Sequence, residues 1–551
     1  MARRANVYPQ VSPAAADLVD GAVVAAPAAL AAADGARLAR RRGAEILAAG
    51  PGGWVLREDA ARADALGVGD LPLRRLARPL PVVPARASEI AVRRHLAGGA
   101  PAVVVVRGRV PLGVIRRPAP APVLSMQARL RGCLDPDSLT LLATVNRLAA
   151  ARGARAFAVG GLVRDAWRGG PPAGRDLDLV LEGDAPLVAR ALAAELDGTL
   201  VEHERFLTAS VELPSGRRVD LVTARTERYE APGALPRVLP GSIDQDLRRR
   251  DFTVNAMAVE LASGTYGLLD PLGGAADLGA RRLRILHPLS FLEDPTRIFR
   301  AARYAGRLGF ALDAWSARAR TLALELAPHA ALSPARIVAE LERVLADAAP
   351  DRALVALGRA GAFRLLHAGH RAGRATLARL AALPGTLAWA RQRGLAVPPV
   401  EVLAVALAAE QAPAVAAAVP HGLGLRGAGL ERVREALAAR AGLEAGLAGA
   451  GRPSEAARLV RAASPTLLAW LRLAGAAATG ARLDRVLQAA RAGRPALSGE
   501  DVLGLGVARG PDVAAALAAL RDARLDGEIR ERQGEIDYVR TWVRTRTPGE
   551  G

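Results

Sequence analysis

An α+β chain of several domains is predicted, and three observations predict it. A helix–strand–turn–strand order occurs twice between residues 32 and 117. Residues 157–181 read as strand, glycine turn, helix, loop and strand. Beyond residue 290, alanine- and leucine-rich helical periods run on, broken only by glycines and prolines. A chain of 551 residues is too long for one core. The expected division is an α/β repeated module over 1–118 and a linker with lead-in helix over 119–155. A head of mixed sheet and helices follows over 156–290, then an all-α neck over 291–350 and an all-α body and tail over 351–551.

Composition bounds the function. The formal net charge is +20 with a pI of about 11.3, which favours a polyanionic partner. All 75 basic residues are arginine, as a GC-rich genome would supply; arginine holds phosphates bidentately and stacks on bases. Aromatics make up 3% of the chain, so phosphate contacts and helix ends, rather than base stacking, must dominate nucleic-acid binding. The single cysteine, Cys133, excludes an internal disulfide and a multi-cysteine zinc site. The start lacks the apolar core of a signal peptide. The most apolar tract, near 400–424, is interrupted by Glu401, Glu410 and Pro413, so no membrane span and a cytoplasmic protein are expected.

In the repeat, the first copy spans Ala32 to Asp59 and the second Ser88 to Arg117, each helix, strand, glycine turn and strand. The pair resembles tandem cystathionine-β-synthase-like (CBS) domains. That resemblance implies either an adenine nucleotide, with Asp59 on its ribose, or a structural, dimerising pair without ligand. The second copy reads Arg116-Arg117-Pro118, without a matching aspartate, so one site at most is expected. Arg117 to Val123 is a proline-alanine linker. Leu124 to Arg152, with Leu130, Leu134, Leu139, Leu142 and Val145, reads as one amphipathic helix leading into the head.

In the head, Gly160-Gly161 allows a tight turn and close approach of a ligand to the backbone. A helix opening at Leu162 offers free N–H groups to a phosphate, with the Arg164 fork beside it. Asp176 and Asp178, two apart on a strand, share a face; paired carboxylates repel unless a cation intervenes, and hard oxygen ligands favour magnesium. Alone, Gly-Gly is a turn and Asp-x-Asp a solvated strand end. Their ordered combination is the kit for metal-assisted phosphoryl or nucleotidyl transfer.

This segment resembles the head of the class II tRNA nucleotidyltransferase and bacterial poly(A) polymerase family, with its GGxVRD and DxD words; the loop between them is slightly longer here. The resemblance implies that Asp220, on the strand Arg217 to Val222, is a third carboxylate, although it reads nearly as well as a strand-end acid holding Arg218 or Arg225. Arg250-Asp251-Phe252-Thr253-Val254-Asn255 matches the family's RRDFTxNAMA word, implying Arg250 on the triphosphate and Asp251 and Asn255 in the same pocket.

Glu293-Asp294-Pro295-Thr296-Arg297 opens another helix, with Pro295 in its first turn and the acids at its N-terminus. Cytosine and adenine both present an amino donor beside a ring-nitrogen acceptor. A carboxylate accepts from the first and an arginine donates to the second, whereas guanine and uracil leave those groups unpaired. By resemblance Asp294 and Arg297 do this without a template, and Arg300 and Arg303 lie on the triphosphate side. Pro334 onward resembles the family's neck helix, and 351–551 reads as a helical grip on tRNA by shape and phosphate. The seven scattered histidines read as structural.

The expected function is template-independent addition of CMP and AMP, from CTP and ATP, to a tRNA 3′ end with magnesium as cofactor. A poly(A) polymerase and an inactive, adenylate-sensing RNA-binding regulator are the alternatives; a small-molecule nucleotidyltransferase would need neither Asp294 and Arg297 nor the long basic tail. CBS domains ahead of such a head resemble long bacterial members, often A-adding, which usually carry an N-terminal phosphoesterase domain too, one not expected here.

Overall fold

Short β-branched runs make the strands of the repeat, and each copy adds one strand that the pattern did not predict. The computed structural model describes residues 13–118, 124–170, 177–203, 207–262 and 266–546. In the first copy β1 (Ala22–Ala25) precedes helix α1 (Ala32–Arg41), followed by β2 (Ala44–Ala48), β3 (Trp54–Leu56) and α2 (Arg57–Ala65). A one-turn helix α3 (Leu73–Leu76) leads to the second copy: β4 (Val82–Pro84), α4 (Glu89–Ala97), β5 (Ala102–Arg107) and β6 (Val110–Arg116). β1 runs parallel to β2, which is antiparallel to β3; β4, β5 and β6 repeat that order and sense. Ile46, Trp54 and Leu56 of one sheet pack on Ala102, Val104 and Val114 of the other.

The lead-in segment is two helices, α5 (Gln127–Cys133) and α6 (Pro136–Ala150), rather than one. Asp135 accepts from Ser138 N at 2.7 Å and Pro136 occupies the first turn, so the chain restarts there. The Arg117–Val123 linker lies mostly outside the described residues.

The head follows as β7 (Arg155–Val159), α7 (Gly161–Arg168), β8 (Leu177–Glu182), α8 (Ala185–Glu195), β9 (Thr199–His203), β10 (Thr208–Glu212) and β11 (Arg218–Thr223). A hairpin, β12 (Arg225–Arg228) with β13 (Arg237–Pro240), precedes α9 (Ile243–Arg248); β14 (Ala258–Glu260), β15 (Leu268–Leu269) and α10 (Gly274–Gly279) complete it. The sheet order is β15-β14-β7-β8-β11-β10-β9, mixed in sense. Period two sorts its faces: Phe157, Val159, Val180 and Ala258 pack beneath Ile243 and Leu247 of α9. Helices α11 (Ser290–Glu293), α12 (Thr296–Leu308) and α13 (Ala314–Glu325) close this part.

Residues 1–333 form one compact unit and 334–551 another. The segment 291–350, read from sequence as one neck, is therefore divided between them, and the repeat shares its unit with the head. One contact in that unit is unusually close. A Cβ on Gly273 would lie 2.4 Å from Gly99 Cα, and one on Gly99 would lie 2.6 Å from the Leu272 carbonyl oxygen; both glycines have positive φ.

The second unit is helical throughout its described elements, from α14 (Pro334–Leu345) to the helix Arg532–Arg546. Its ionic groups are paired across helices: the buried Glu401 accepts from Arg432 and Thr466, and Glu535 from Arg524 and the amides of Ala496 and Leu497. The late element expected near Ser498 is there: a capping box of Ser498 and Asp501 opens a short helix over Gly499–Gly504. Among the described residues no helix is long and apolar enough to cross a membrane.

Candidate active site

The glycine turn, the strand carboxylates and the arginine-rich word meet at one end of the head sheet. β7 is antiparallel to β8, with Ala158 opposite Leu179, so the chain leaves β7 beside the start of β8. There Gly160 has φ +64° and ψ −124°, a region closed to side chains. Its N–H donates to Met257 O at 3.3 Å, which brings the end of the Arg250–Met257 word to the turn. A Cβ at Gly160 would lie 3.1 Å from Arg250 Nη1, so this arginine already stands over the turn. Gly161 begins α7, whose N-terminus borders the same spot.

Asp178 stands on β8 in exact register with Asp220 on the parallel strand β11. Register partners in a parallel pair point to the same face, so the two carboxylates share one side of the sheet. Asp178 is exposed and Asp220 half-buried. Asp220 also accepts from Ser210 Oγ and, at 2.8 Å, from Arg218 Nε. Asp220 is thus both the register partner of Asp178 and a partner of Arg218. Asp176 lies outside the described residues. Asp178 and Asp220 offer only carboxylate oxygens, a donor set that fits a hard divalent cation such as magnesium. Among the described residues no three His, Cys, Asp or Glu side chains cluster as a metal site.

The fork expected of Arg164 is already occupied. Arg164 is 2% exposed; Nε and Nη2 donate to the two Asp165 oxygens at 2.9 Å each, and Nη1 donates to Asn255 Oδ1 at 2.8 Å. Asn255 Nδ2 donates to Asp251 Oδ1 at 3.0 Å, and Arg300 Nε donates to Asp251 Oδ2 at 2.8 Å. Arg164 is therefore a strut that orders Asn255, Asp251 and Arg300, not an open phosphate fork. Burial pushes the Asp251 carboxyl up, but Arg300 and Asn255 more than reverse it and hold it below the usual range. Around the ring of Tyr304 stand Arg164, Arg300 and Arg303, at 5.5, 5.6 and 5.2 Å from its centroid.

Arg250 is half-buried, and its Nε and Nη2 hold Asp246 Oδ2 at 3.1 and 2.9 Å. Arg249 forks onto the other oxygen of the same fully buried carboxylate and reaches Glu227 at 2.9 Å. Burial again raises the Asp246 carboxyl and the two arginines overcome it, leaving it ionised.

On the helix side, Asp294 Oδ1 accepts from Thr296 N at 3.0 Å and from Thr296 Oγ1 at 2.6 Å, so it also starts α12. Arg297 is 5% exposed; Nη1 donates to Ser290 Oγ at 2.7 Å and Nη2 to the Arg249 carbonyl at 2.8 Å. The Glu293–Arg297 word is thus joined through Arg249 to the neighbouring Arg250–Met257 word. Sequence reasoning missed Asp246, Arg249, Ser290 and Tyr304. Three of them sit in or beside the words it read, but nothing in their spacing distinguishes a strut from a contact.

Asp59 does not face a ligand. It lies in α2, 1% exposed, accepting from Arg78 Nη2 at 2.7 Å. A cleft of about 300 Å³ does open nearby, lined by Glu45, Arg57, Arg116 and Arg117 of the repeat and by Arg248 and Leu272 of the head.

Residues 156–284 match the Poly A polymerase head domain. Over 223 residues the chain is 42% identical to the A-adding tRNA nucleotidyltransferase of Halalkalibacterium halodurans, covering 39% of this chain and 51% of that protein. It is 43% identical over 211 residues to the CC-adding tRNA nucleotidyltransferase of Deinococcus radiodurans, covering 38% of this chain and 54% of the relative. The chain thus spans about half the length of these curated relatives. A solved CCA-adding enzyme in an apo form superposes with a TM-score of 0.67 at 26% identity, over 76% of this chain and 99% of that one.

Proposed function

We propose that this protein is a template-independent tRNA nucleotidyltransferase that adds AMP, CMP or both to the tRNA 3′ end from ATP and CTP. One observation carries the reading: the Gly160 turn, the register pair Asp178 and Asp220, and Arg250 converge at one sheet end, in a head similar to those of A-adding and CC-adding enzymes.

The residues divide the work as follows. The backbone at Gly160 and Gly161, with the α7 N-terminus and Arg250, binds the triphosphate. Asp294 accepts from the base amino group and Arg297 donates to the ring nitrogen. Arg300 and Arg303 flank the phosphates, and Arg164 keeps Asp251 and Asn255 in position. The RNA 3′-oxygen forms a bond to the α-phosphorus, the bond to the bridging oxygen breaks, pyrophosphate leaves and the hydroxyl proton goes to solvent. Asp176, Asp178 and Asp220 would hold magnesium, which when bound neutralises phosphate charge and favours the ionised hydroxyl. The helical unit over 334–551, in a chain of net charge +20, is the proposed RNA grip. A tRNA substrate implies a cytoplasmic site of action.

Two sheets of equal order and sense support reading 1–118 as tandem CBS-like domains, serving as a dimerising pair or as an adenine-nucleotide site. The arginine-lined cleft, rather than Asp59, is the proposed seat of such a nucleotide.

Three tRNA transcripts test the activity, ending before the tail, after one C and after two. Each is incubated with magnesium and one labelled nucleotide at a time. Extension of all three, stopping at CCA, identifies complete CCA addition; extension of the last alone, with ATP, identifies an A-adding enzyme. Unbounded A tracts would identify a poly(A) polymerase, and no extension of any transcript would sink the reading in favour of a regulator.

A further inference from the structure

We infer that Arg62, from the N-terminal repeat, is a positioning residue for base selection: it holds Glu293 so that Arg297 keeps the orientation in which it meets the base. The inference rests on the nucleotidyl-transfer reading above and adds to it a part of the chain outside the matched head.

The geometry runs in steps from α2. Asp59 accepts from Arg78 Nη2, both side chains are buried, and the Arg78 guanidinium lies 4.7 Å from the centroid of Trp315 on α13. This pins α2 against the helices that follow the head. Three residues along the same helix face, Arg62 Nη1 donates to Glu293 Oε1 at 3.1 Å. The other oxygen, Glu293 Oε2, lies 3.1 Å from His287 Nε2. Glu293 is 5% exposed, directly precedes Asp294, and stands four residues before Arg297.

Charge then decides what each partner contributes. Burial pushes the His287 imidazole down to about 4, so it is neutral at pH 7. Burial also raises Glu293, but His287, which is protonated only in acid, and the permanent cations Arg62 and Arg297 hold it at about 2, so it is ionised at pH 7. A carboxylate this deep must have cationic partners. With His287 neutral, that charge comes from Arg62 and Arg297. If Arg62 is removed, Oε1 loses its donor and Arg297 is the cation left to take its place. That movement draws Arg297 from Ser290 Oγ and the Arg249 carbonyl, the two groups that orient it. Base readout depends on such orientation, because a misaligned donor no longer separates adenine from guanine.

A second ion pair between the same regions, Arg75 with Glu325, is more exposed and touches no base-reading residue. It is the control. The full chain and its Arg62→Ala, Arg62→Lys and Arg75→Ala variants are compared by kcat and KM for ATP, CTP and GTP in single-nucleotide addition, alongside equilibrium binding of ATP and GTP. Arg62→Ala is expected to raise KM for ATP and CTP and narrow the preference over GTP, each by about tenfold, with kcat changed by no more than about twofold. Arg62→Lys should recover most of the preference, and Arg75→Ala should retain all of it. Wild-type preference in a folded Arg62→Ala protein would overturn the inference. If that variant does not fold, Arg62→Gln, neutral and of similar reach, carries the same criterion. A wild-type protein that extends no RNA would sink the parent reading instead, and the ATP-versus-GTP binding comparison would still decide this one.

Discussion

Asp178 and Asp220 are register partners across the parallel β8–β11 pair, and they are separated by a hairpin, a helix and more than forty residues of chain. Pairing on the sheet, not proximity in sequence, brings the two carboxylates to one face. Asp178→Asn is expected to lower nucleotide transfer by about 100-fold or more while leaving tRNA binding intact. Single-turnover transfer and a gel-shift titration separate the two effects. Asp220→Asn should cost less stability than transfer, since Ser210 and Arg218 still hydrogen-bond to the amide oxygen.

Gly160→Ala tests the turn. Its φ of +64° with ψ −124° is strained for any side chain, at about 1–3 kcal/mol, and the new methyl meets Arg250. Lower thermal stability together with a raised KM for ATP is the expected outcome. Gly161→Ala, with helical φ and its nearest neighbour at 3.6 Å, should be far milder.

Arg164→Ala should destabilise the fold by about 3–5 kcal/mol, because it leaves the buried Asp165 to the more distant Arg307, 3.9 Å away, and unties Asn255. Arg164→Lys cannot restore a bidentate fork and should recover only part of that. Urea unfolding gives the stability, and KM shows whether loosening Asn255 and Asp251 reaches the nucleotide.

Acid should weaken the first unit through His287. Its folded value of about 4 lies below the unfolded value of 6.5, so its contribution is complete above pH 6.5 and is lost as pH falls through 4. The loss amounts to a few kcal/mol. His287→Gln should flatten the pH dependence of unfolding between pH 7 and 4; an unchanged slope would refute this assignment.

The elements that place the head site were legible because each is a local rule. Gly160 marks a turn, alternation marks β8, and Asp294 with Pro295 marks a helix start. The lead-in helix was misread although its break, Asp135-Pro136, carries a plain stop-and-start signal. Burial was the harder property. Arg164 and Asp59 look in sequence like ligand-facing groups, yet both are covered and paired, with Asp165 and Arg78. In a chain whose basic residues are all arginine, nothing local separates a guanidinium that builds the site from one that binds at it. β1 and β4 were missed because each stands ahead of the helix that opens the repeated pattern, apart from the glycine turn that marks the other two strands of its copy.

The contact between Gly99 and Gly273 bears on how such a chain can diverge. Peptide meets peptide there, with the Arg284 guanidinium donating to the carbonyls of Gly99 and Leu272 on either side, so a side chain on either glycine would part the repeat from the head. Surfaces joined through long side chains tolerate gradual substitution, each partner adjusting in turn. A joint of close-packed backbone does not, because a methyl group on either glycine can be accepted there only if the repeat shifts bodily against the head.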